Sequence, residues 1–218
     1  EVTVAGEHGK RPDVVLYVNG IVLGVLELKR SKVSVSEGIR QNLDNQKPEF
    51  IRNFFGTIQL VMAGNDSEGL RYGVIETPEK YYLNWKEETG IRNRLDSGLS
   101  ALCNKERFLE LIHDFIVFDG GQKKIARHNQ YFGVKETQKK LNKREGGIIW
   151  HTQGSGKTAL AYYNVHYLSD YYQNKNTIAK FYFITDRLDL ATQAKNEFES
   201  RGLKVSMVSS REDFIKNI

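Results

Sequence analysis

Only one cysteine, Cys103, occurs in the 218 residues. No internal disulfide can form, and no cysteine-based zinc set can be assembled. That thiol reads as a small buried hydrophobe, and the scarcity of cysteine fits a reducing cytoplasm. There are only 3 prolines, which excludes a Pro-rich linker. No apolar run approaches the roughly 18 residues that a membrane helix needs, so the expectation is a soluble chain without a membrane partner. The sequence starts at Glu1 with neither an initiator Met nor a signal-peptide pattern, and it reads as a piece of something longer. Internal repeats and low-complexity segments are also missing.

What is there describes a folded protein: 39% hydrophobic and 27% charged residues, with a formal net charge of +5. A basic balance permits a polyanionic partner without demanding one. The chain is long enough for one large domain or two modest ones.

The first half reads as mixed α and β. "VVLYV", Asn19-Gly20 and "IVLGVLEL" give a strand-turn-strand signal, because Asn-Gly accepts positive φ between β-prone runs. Ser36 is the expected cap of a helix reaching to about Gln46, and Pro48 opens a second short helix through Phe55. "TIQLVMAG" and "LRYGVIET" are further strands, and "NKERFLELIHDFIVF" is an amphipathic helix capped by Asn104. After "DGG" the composition shifts: residues 120 to 145 hold eight Lys or Arg against Glu136 and Glu145. We place a domain boundary there, giving domains 1–119 and 120–218. Beyond it, apolar strands ("GIIW", "KFYFIT", "LKVSMV") alternate with helices near 130–141, 158–172 and 187–200, the pattern of a parallel sheet covered by helices.

The most specific local signal is "IIWHTQGSGKT", residues 148 to 158. It follows an apolar strand and opens a helix, where backbone N–H groups and the helix N-terminus can surround phosphates. Gly154 and Gly156 allow a tight backbone around the phosphate, with Ser155 between them. Lys157 would reach the β and γ phosphates of ATP, and the Thr158 hydroxyl would hold Mg²⁺. The strict pattern wants glycine where this chain has His151, a relaxation found in superfamily 2 helicases and translocases. Gln130, about twenty residues upstream in "ARHNQYFGV", resembles the glutamine through which helicase-like ATPases read adenine; a surface glutamine is the plainer alternative. Asp186 and Arg187 in "FITDRLDLATQ" resemble the next motif of that superfamily, at a strand end where ligand and nucleic-acid contacts gather; Asp186 could equally cap a helix. The Asp-Glu strand end and the second-lobe arginine of such ATPases are not found before Ile218. On that reading the chain binds nucleotide weakly, if at all, and does not turn it over.

The hairpin carries charge at its mouth: Asp13, Glu27 and Lys29. Phosphodiester hydrolysis uses carboxylates to hold Mg²⁺, which polarises the phosphate and acidifies water, and a cation near the developing charge. Glu27 and Lys29, two apart on one strand, share a face. Asp13 joins them only if the register allows it. A strict two-residue turn makes facing residues sum to 39 and turns Glu27 away from Asp13; one bulge or an odd loop makes the sum even and brings both carboxylates to one face. A metal site therefore predicts a broken register.

Asp13, Glu27 and Lys29, spaced as "PD", thirteen residues, "ELK", match the PD-(D/E)-x-K nuclease pattern; an exposed ion-pair cluster is the plainer reading of those three alone. Gln41 in "EGIRQNLDNQ" stands where RecB-type nucleases carry Q-x-x-x-Y, with Asn45 in the tyrosine position. A nuclease core directly followed by a helicase-type lobe resembles the motor and cleavage (R) subunit of type I restriction enzymes, over most of residues 11 to 200. The resemblance implies a restriction-endonuclease-like mixed α/β core followed by part of a RecA-like parallel-sheet domain. It implies nonspecific cutting of double-stranded DNA after ATP-driven translocation, in a complex with specificity and methyltransferase subunits. It also implies Mg²⁺ on Asp13, Glu27 and the Leu28 carbonyl, water activation or orientation by Lys29, and support from Gln41. The basic tract from Lys123 to Arg144 would touch DNA phosphates or be a solvated face. The alternatives are a repair helicase-nuclease, a type III restriction subunit, or a catalytically inactive nucleic-acid-binding regulator.

Overall fold

The computed structural model describes residues 9–208 and 210–217, with side chains to 215. The chain forms two compact units: one holds the residues up to Ile116 together with Lys123–Asn129, the other Val117–Gln122 together with the residues from Gln130 onward.

The first unit is built on a five-stranded mixed sheet in the order β1-β2-β3-β4-β5. β1 (Val14–Val18) and β2 (Ile21–Leu28) are the antiparallel hairpin. The chain then crosses over through α1 (Val35–Asn45) and a single 3-10 turn at Arg52–Gly56 to β3 (Leu60–Asn65), which runs parallel to β2. β4 (Gly69–Gly73) and the short β5 (Leu83–Asn84) complete the sheet antiparallel. α2 (Arg94–Leu102) and α3 (Lys105–Asp114) follow.

β3 is buried along its whole length, as a central strand covered on both faces must be, and it reads as a continuous apolar run for that reason. On one face Val25 and Val61 pack with Ile51, Phe55 and Ile58, and Ala63 packs with Val35 and Ile39 of α1. On the other face, a Cβ at Gly98 of α2 would lie 2.7 Å from the Leu70 Cβ, so glycine there permits the close approach.

Several local expectations shift. The cap of α1 is Ser34, whose side chain accepts from Ser36 N, so the helix opens two residues earlier than expected. Pro48 opens turns rather than a helix. Asn104 caps α3 as expected, accepting from Arg107 N, but the helix stops at Asp114 and Ile116–Asp119 becomes strand β6, paired with β7 (Gln122–Ile125). α2, which begins behind Asn93, has no counterpart in the sequence reading.

In the second unit three helices stand close to where periodicity puts them, α4 (His128–Asn142), α5 (Lys157–Gln173) and α6 (Leu188–Glu199), while α7 (Arg211–Asn217) has no counterpart in the sequence reading. The expected parallel strands do not form: residues 147–150, 180–185 and 203–208 have no ladder partners among the described residues. Ile148, Trp150 and Ile184 are 90%, 91% and 86% exposed. Strands of a parallel sheet are normally buried on both faces and held by neighbours distant in sequence, and these exposed runs have neither feature. The chain as a whole is mixed α/β with a mixed sheet, as the motifs imply. No described helix is long and apolar enough to cross a membrane.

Candidate functional site

The hairpin breaks its register. Val18 faces Ile21 and Tyr17 faces Val22 across Asn19 and Gly20, whose φ values of 49° and 80° suit a tight mirror-image turn. Beyond that point Leu16 faces Gly24, Val15 faces Val25 and Val14 faces Leu26. Leu23 is the extra residue of a bulge, and its carbonyl accepts from Gln59 N at 2.8 Å. Facing residues now sum to an even number, so the register brings Asp13 level with Glu27.

Around that point four side chains meet. Asp13 Oδ2 accepts from Leu28 N at 2.8 Å, which ties the loop before β1 to the end of β2. Gln41 of α1 bridges the other two: its Oε1 accepts from Lys29 Nζ at 2.5 Å, and its Nε2 donates to Glu27 Oε2 at 2.7 Å. α1 can sit this close because residue 38 is glycine; a Cβ there would lie 3.1 Å from the Ala63 Cβ and 3.5 Å from the Lys29 stem. Gly38 is a site-forming residue absent from the sequence reading. A glycine three positions before Gln41, inside an otherwise regular helix, was the available signal.

Glu27 is fully buried. Burial first, then the neighbouring Asp13 carboxylate and the proton the two can share, push its pKa up to about 8 against the opposing pull of Lys29. Near neutral pH its protonated form therefore predominates in the absence of a cation. Apart from the proton shared with Asp13, its buried Oε1 has no hydrogen-bond partner among the described residues. An orphaned carboxylate oxygen beside a second carboxylate is a donor set suited to a hard divalent cation, which would supply the missing partner. Asn45, the residue at the tyrosine position, is buried too and leaves its own Oδ1 unpartnered.

In the second unit the loop before α5 carries Gly154 at φ 73° and Gly156 at φ 83°, both in the left-handed region that glycine favours. Gly156 is the N-cap position of α5, so Lys157 and Thr158 begin the helix. The Lys157 Nζ turns back over the loop and donates to the carbonyls of His151 at 3.2 Å and Thr152 at 3.1 Å. Ser155 Oγ is buried and unpartnered. Gln130 is buried rather than on the surface, and its Nε2 donates to Gly156 O at 3.2 Å. It braces the glycine-rich loop directly: a Cβ on Gly156 would lie 2.5 Å from that nitrogen.

Asp186 and Arg187 are exposed. Arg187 occupies the N-cap position of α6 without a side-chain cap and pairs with Asp189 at 2.6 Å, so Asp186 is not the helix cap. Part of the basic tract is engaged within its own unit: Lys123 donates to Gln59 Oε1, Lys139 pairs with Glu136 and Lys140 with Glu145.

The comparisons with known proteins fall on both units. Residues 1–80 match the family model of the type I restriction enzyme R protein N terminus, and residues 129–218 match that of the SWI2/SNF2 ATPase. Over 87% of this chain it is 28% identical to the putative type I restriction enzyme MjaVIIP endonuclease subunit of Methanocaldococcus jannaschii, covering 19% of that protein. It is 31% identical over 88% of its length to the type I restriction enzyme HindI endonuclease subunit of Haemophilus influenzae, covering 20% of it. A Staphylococcus aureus relative, the SauCOLORF180P endonuclease subunit, is 26% identical over 91% of the chain and is covered to 21%. The chain thus spans about a fifth of the length of these relatives, and the likeness to type I R subunits read from the motifs holds over most of it.

Proposed function

We propose that this chain carries the DNA-cleaving site and the start of the ATP-driven motor of a type I restriction enzyme, the first in residues 1–119 and the second in 120–218. The observation that carries the reading is the bulge at Leu23, which sets Asp13 and Glu27 side by side with Lys29 and Gln41 attached. Mg²⁺ bound by Asp13, Glu27 and the Leu28 carbonyl would polarise a DNA phosphate and acidify an attacking water. Glu27, whose pKa is raised to about 8 without a cation, would have to be deprotonated to serve as a ligand of that Mg²⁺. Gln41, through its two bonds, keeps the Lys29 ammonium on the carboxylate face. Lys29 orients the water and stabilises charge developing on the phosphate. Gly38 lets α1 approach closely enough for Gln41 to do so.

The loop at 151–158 would bind the phosphates of ATP through its backbone amides, Lys157 and Thr158, the latter to Mg²⁺. Lys157 exchanges two loop carbonyls for phosphate oxygens as nucleotide enters. Gln130 acts there by bracing Gly156 and reading adenine at its edge, and Asp186 with Arg187 would face nucleic acid. The implied partners are double-stranded DNA and the specificity and methyltransferase subunits, in a cytoplasmic complex.

The test is the full-length protein in its complex with Lys29→Ala or Asp13→Ala. Loss of cleavage with ATP hydrolysis and translocation intact supports the assignment; full cleavage by either variant sinks it.

A further inference from the structure

Beyond the carboxylate site, the first unit holds a second polar pocket, a cavity of about 340 Å³ between the start of β4, the segment after β5 and the start of α2. Its walls include four cations, Arg71, Lys86, Arg92 and Arg94, against two acids, Glu68 and Glu87. Both acids are already engaged. Glu87 forms an ion pair with Arg107 at 2.5 Å, and Glu68 Oε1 accepts from Val35 N at 3.0 Å. The cations are not neutralised in the same way. Arg94 donates only to the Ser67 carbonyl, at 3.1 Å, and none of Arg71, Lys86 and Arg92 has a carboxylate partner among the described residues. Arg71 keeps a buried Nη1 with no hydrogen-bond partner. A guanidinium stays charged at any working pH, so burial without a counter-ion is costly unless an anion completes it.

The pocket is joined to the cleavage site. Asn93, at the head of α2, donates to Asp66 Oδ1 at 2.9 Å, and Ser67 Oγ donates to the Ser31 carbonyl at 2.9 Å. The segment following Lys29, the β3–β4 turn and the start of α2 therefore form one hydrogen-bonded rim. Register also lines up Glu27, Ala63 and Arg71 across the sheet. Two interstrand steps of about 4.8 Å put Arg71 roughly 10 Å from Glu27 along the backbone. That is about three nucleotide rises along one strand of a duplex.

The geometry points to this pocket as a binding site for the phosphodiester backbone of double-stranded DNA, holding the substrate strand a few nucleotides from the bond cut at Asp13 and Glu27. The assignment rests on the nuclease reading for its purpose but not for its detection. Lys86 and Arg92 are exposed and can be replaced without disturbing the core, whereas Arg71 is partly buried and is left in place.

The experiment compares the full-length protein with its Lys86→Ala/Arg92→Ala variant, titrated with a short DNA duplex in EDTA at salt from about 50 to about 200 mM. The expected result is roughly tenfold weaker binding and a salt slope shallower by about 1.8, two phosphates at about 0.9 each. Lys29→Ala, assembled in the complex with ATP and Mg²⁺, is expected to lose cleavage. An unchanged affinity and slope in the double variant overturns the site and leaves the nuclease reading standing. A double variant that loses affinity for orthophosphate but not for duplex overturns it as well, since the pocket would then serve a small anion. Should the double variant bind more weakly with the shallower slope while the unmodified protein, assembled with its specificity and methyltransferase subunits and given ATP and Mg²⁺, never cuts, the pocket stands and the nuclease reading falls.

Discussion

The two units use the same raw material, apolar β-prone runs between amphipathic helices, and arrive at different degrees of closure. In the first, Leu60, Val61, Met62 and Ala63 are fully buried, because β1 and β2 close on each other locally and α1 brings β3 alongside. In the second, runs that are just as apolar lie exposed while α5 and α6 are in place beside them. The difference follows from how each sheet is assembled. A hairpin finds its partner within a few residues, but a parallel ladder needs strands separated by whole helices. A site that depends on sheet register, such as Asp13 with Glu27, can exist only in the first unit. A site that depends on a loop and a helix N-terminus, such as residues 151–158, can form in the second without the sheet.

The largest expected effect separates the units by function. In the full complex, Lys29→Ala should lower DNA cleavage by about 10²- to 10⁴-fold, the range for removing a positioned proton-transfer or charge-stabilising group. It should leave ATP hydrolysis unchanged, and Lys157→Ala should abolish hydrolysis without altering the thermal unfolding of the first unit. Coupled loss of both activities in the Lys29 variant would break the comparison.

Next comes packing. Phe55, 1% exposed in the first unit, should cost about 3–5 kcal/mol when replaced by alanine, from lost burial and the cavity left behind. Ile148→Ala should cost under about 0.5 kcal/mol in the 218-residue chain, because the side chain is in water already. Denaturant unfolding of both variants checks this, and a large penalty at Ile148 would mean that its strand is paired.

A third effect belongs to Glu27 alone. Its folded pKa of about 8 lies above the ordinary carboxylate value, so the native state holds a proton that the unfolded chain has released. Stability of the first unit without metal should therefore fall as pH rises from about 4.5 to about 8, by on the order of a few kcal/mol. Glu27→Gln should flatten that slope, and added Mg²⁺ should restore stability to the unmodified protein but not to the variant. A slope that persists in Glu27→Gln would assign it to other groups.

How far the sequence leads can be judged from particular residues. Asp13, Glu27, Lys29 and Gln41 were legible as a motif, but whether they meet depended on parity. Asn19-Gly20 by itself favours the wrong parity, and the bulge at Leu23 supplies the right one; it is accompanied by a tertiary bond from Gln59 to the Leu23 carbonyl, which no local window contains. Gly38 was passed over because helix propensity counts a glycine as a weakness, and its use appears only against Ala63. The glycine-rich loop at 151–158 was legible as a turn before a helix because Gly154 and Gly156 adopt positive φ locally. Gln130 was visible as a residue, though not as the brace of Gly156, twenty-six positions away. The second unit's strands were legible as strand-forming composition, while pairing is a property of partners that composition does not name.

The smallest expected effect concerns helix starts, where α2 and α3 of the first unit differ from α5 and α6 of the second, while Ser210 before α7 accepts from Asp213 N at 3.1 Å. α2 and α3 begin with Asn93 and Asn104, whose side chains accept from first-turn amides, whereas α5 and α6 begin with Gly156 and Arg187 and have no side-chain cap. Asn104→Ala should therefore destabilise the first unit by about 1 kcal/mol, the usual worth of such a cap. Arg187→Asn should stabilise the second by a similar or smaller amount, since asparagine can accept an amide bond that arginine cannot. Gly156 offers no such gain: any side chain there meets both the left-handed backbone and Gln130, so Gly156→Asn should destabilise. Local thermal unfolding followed by hydrogen exchange in α3 and α6 reads both changes. If Arg187→Asn left α6 exchange unaffected, the N-terminus of α6 would already be satisfied by another group, and the contrast between these two pairs of helices would disappear.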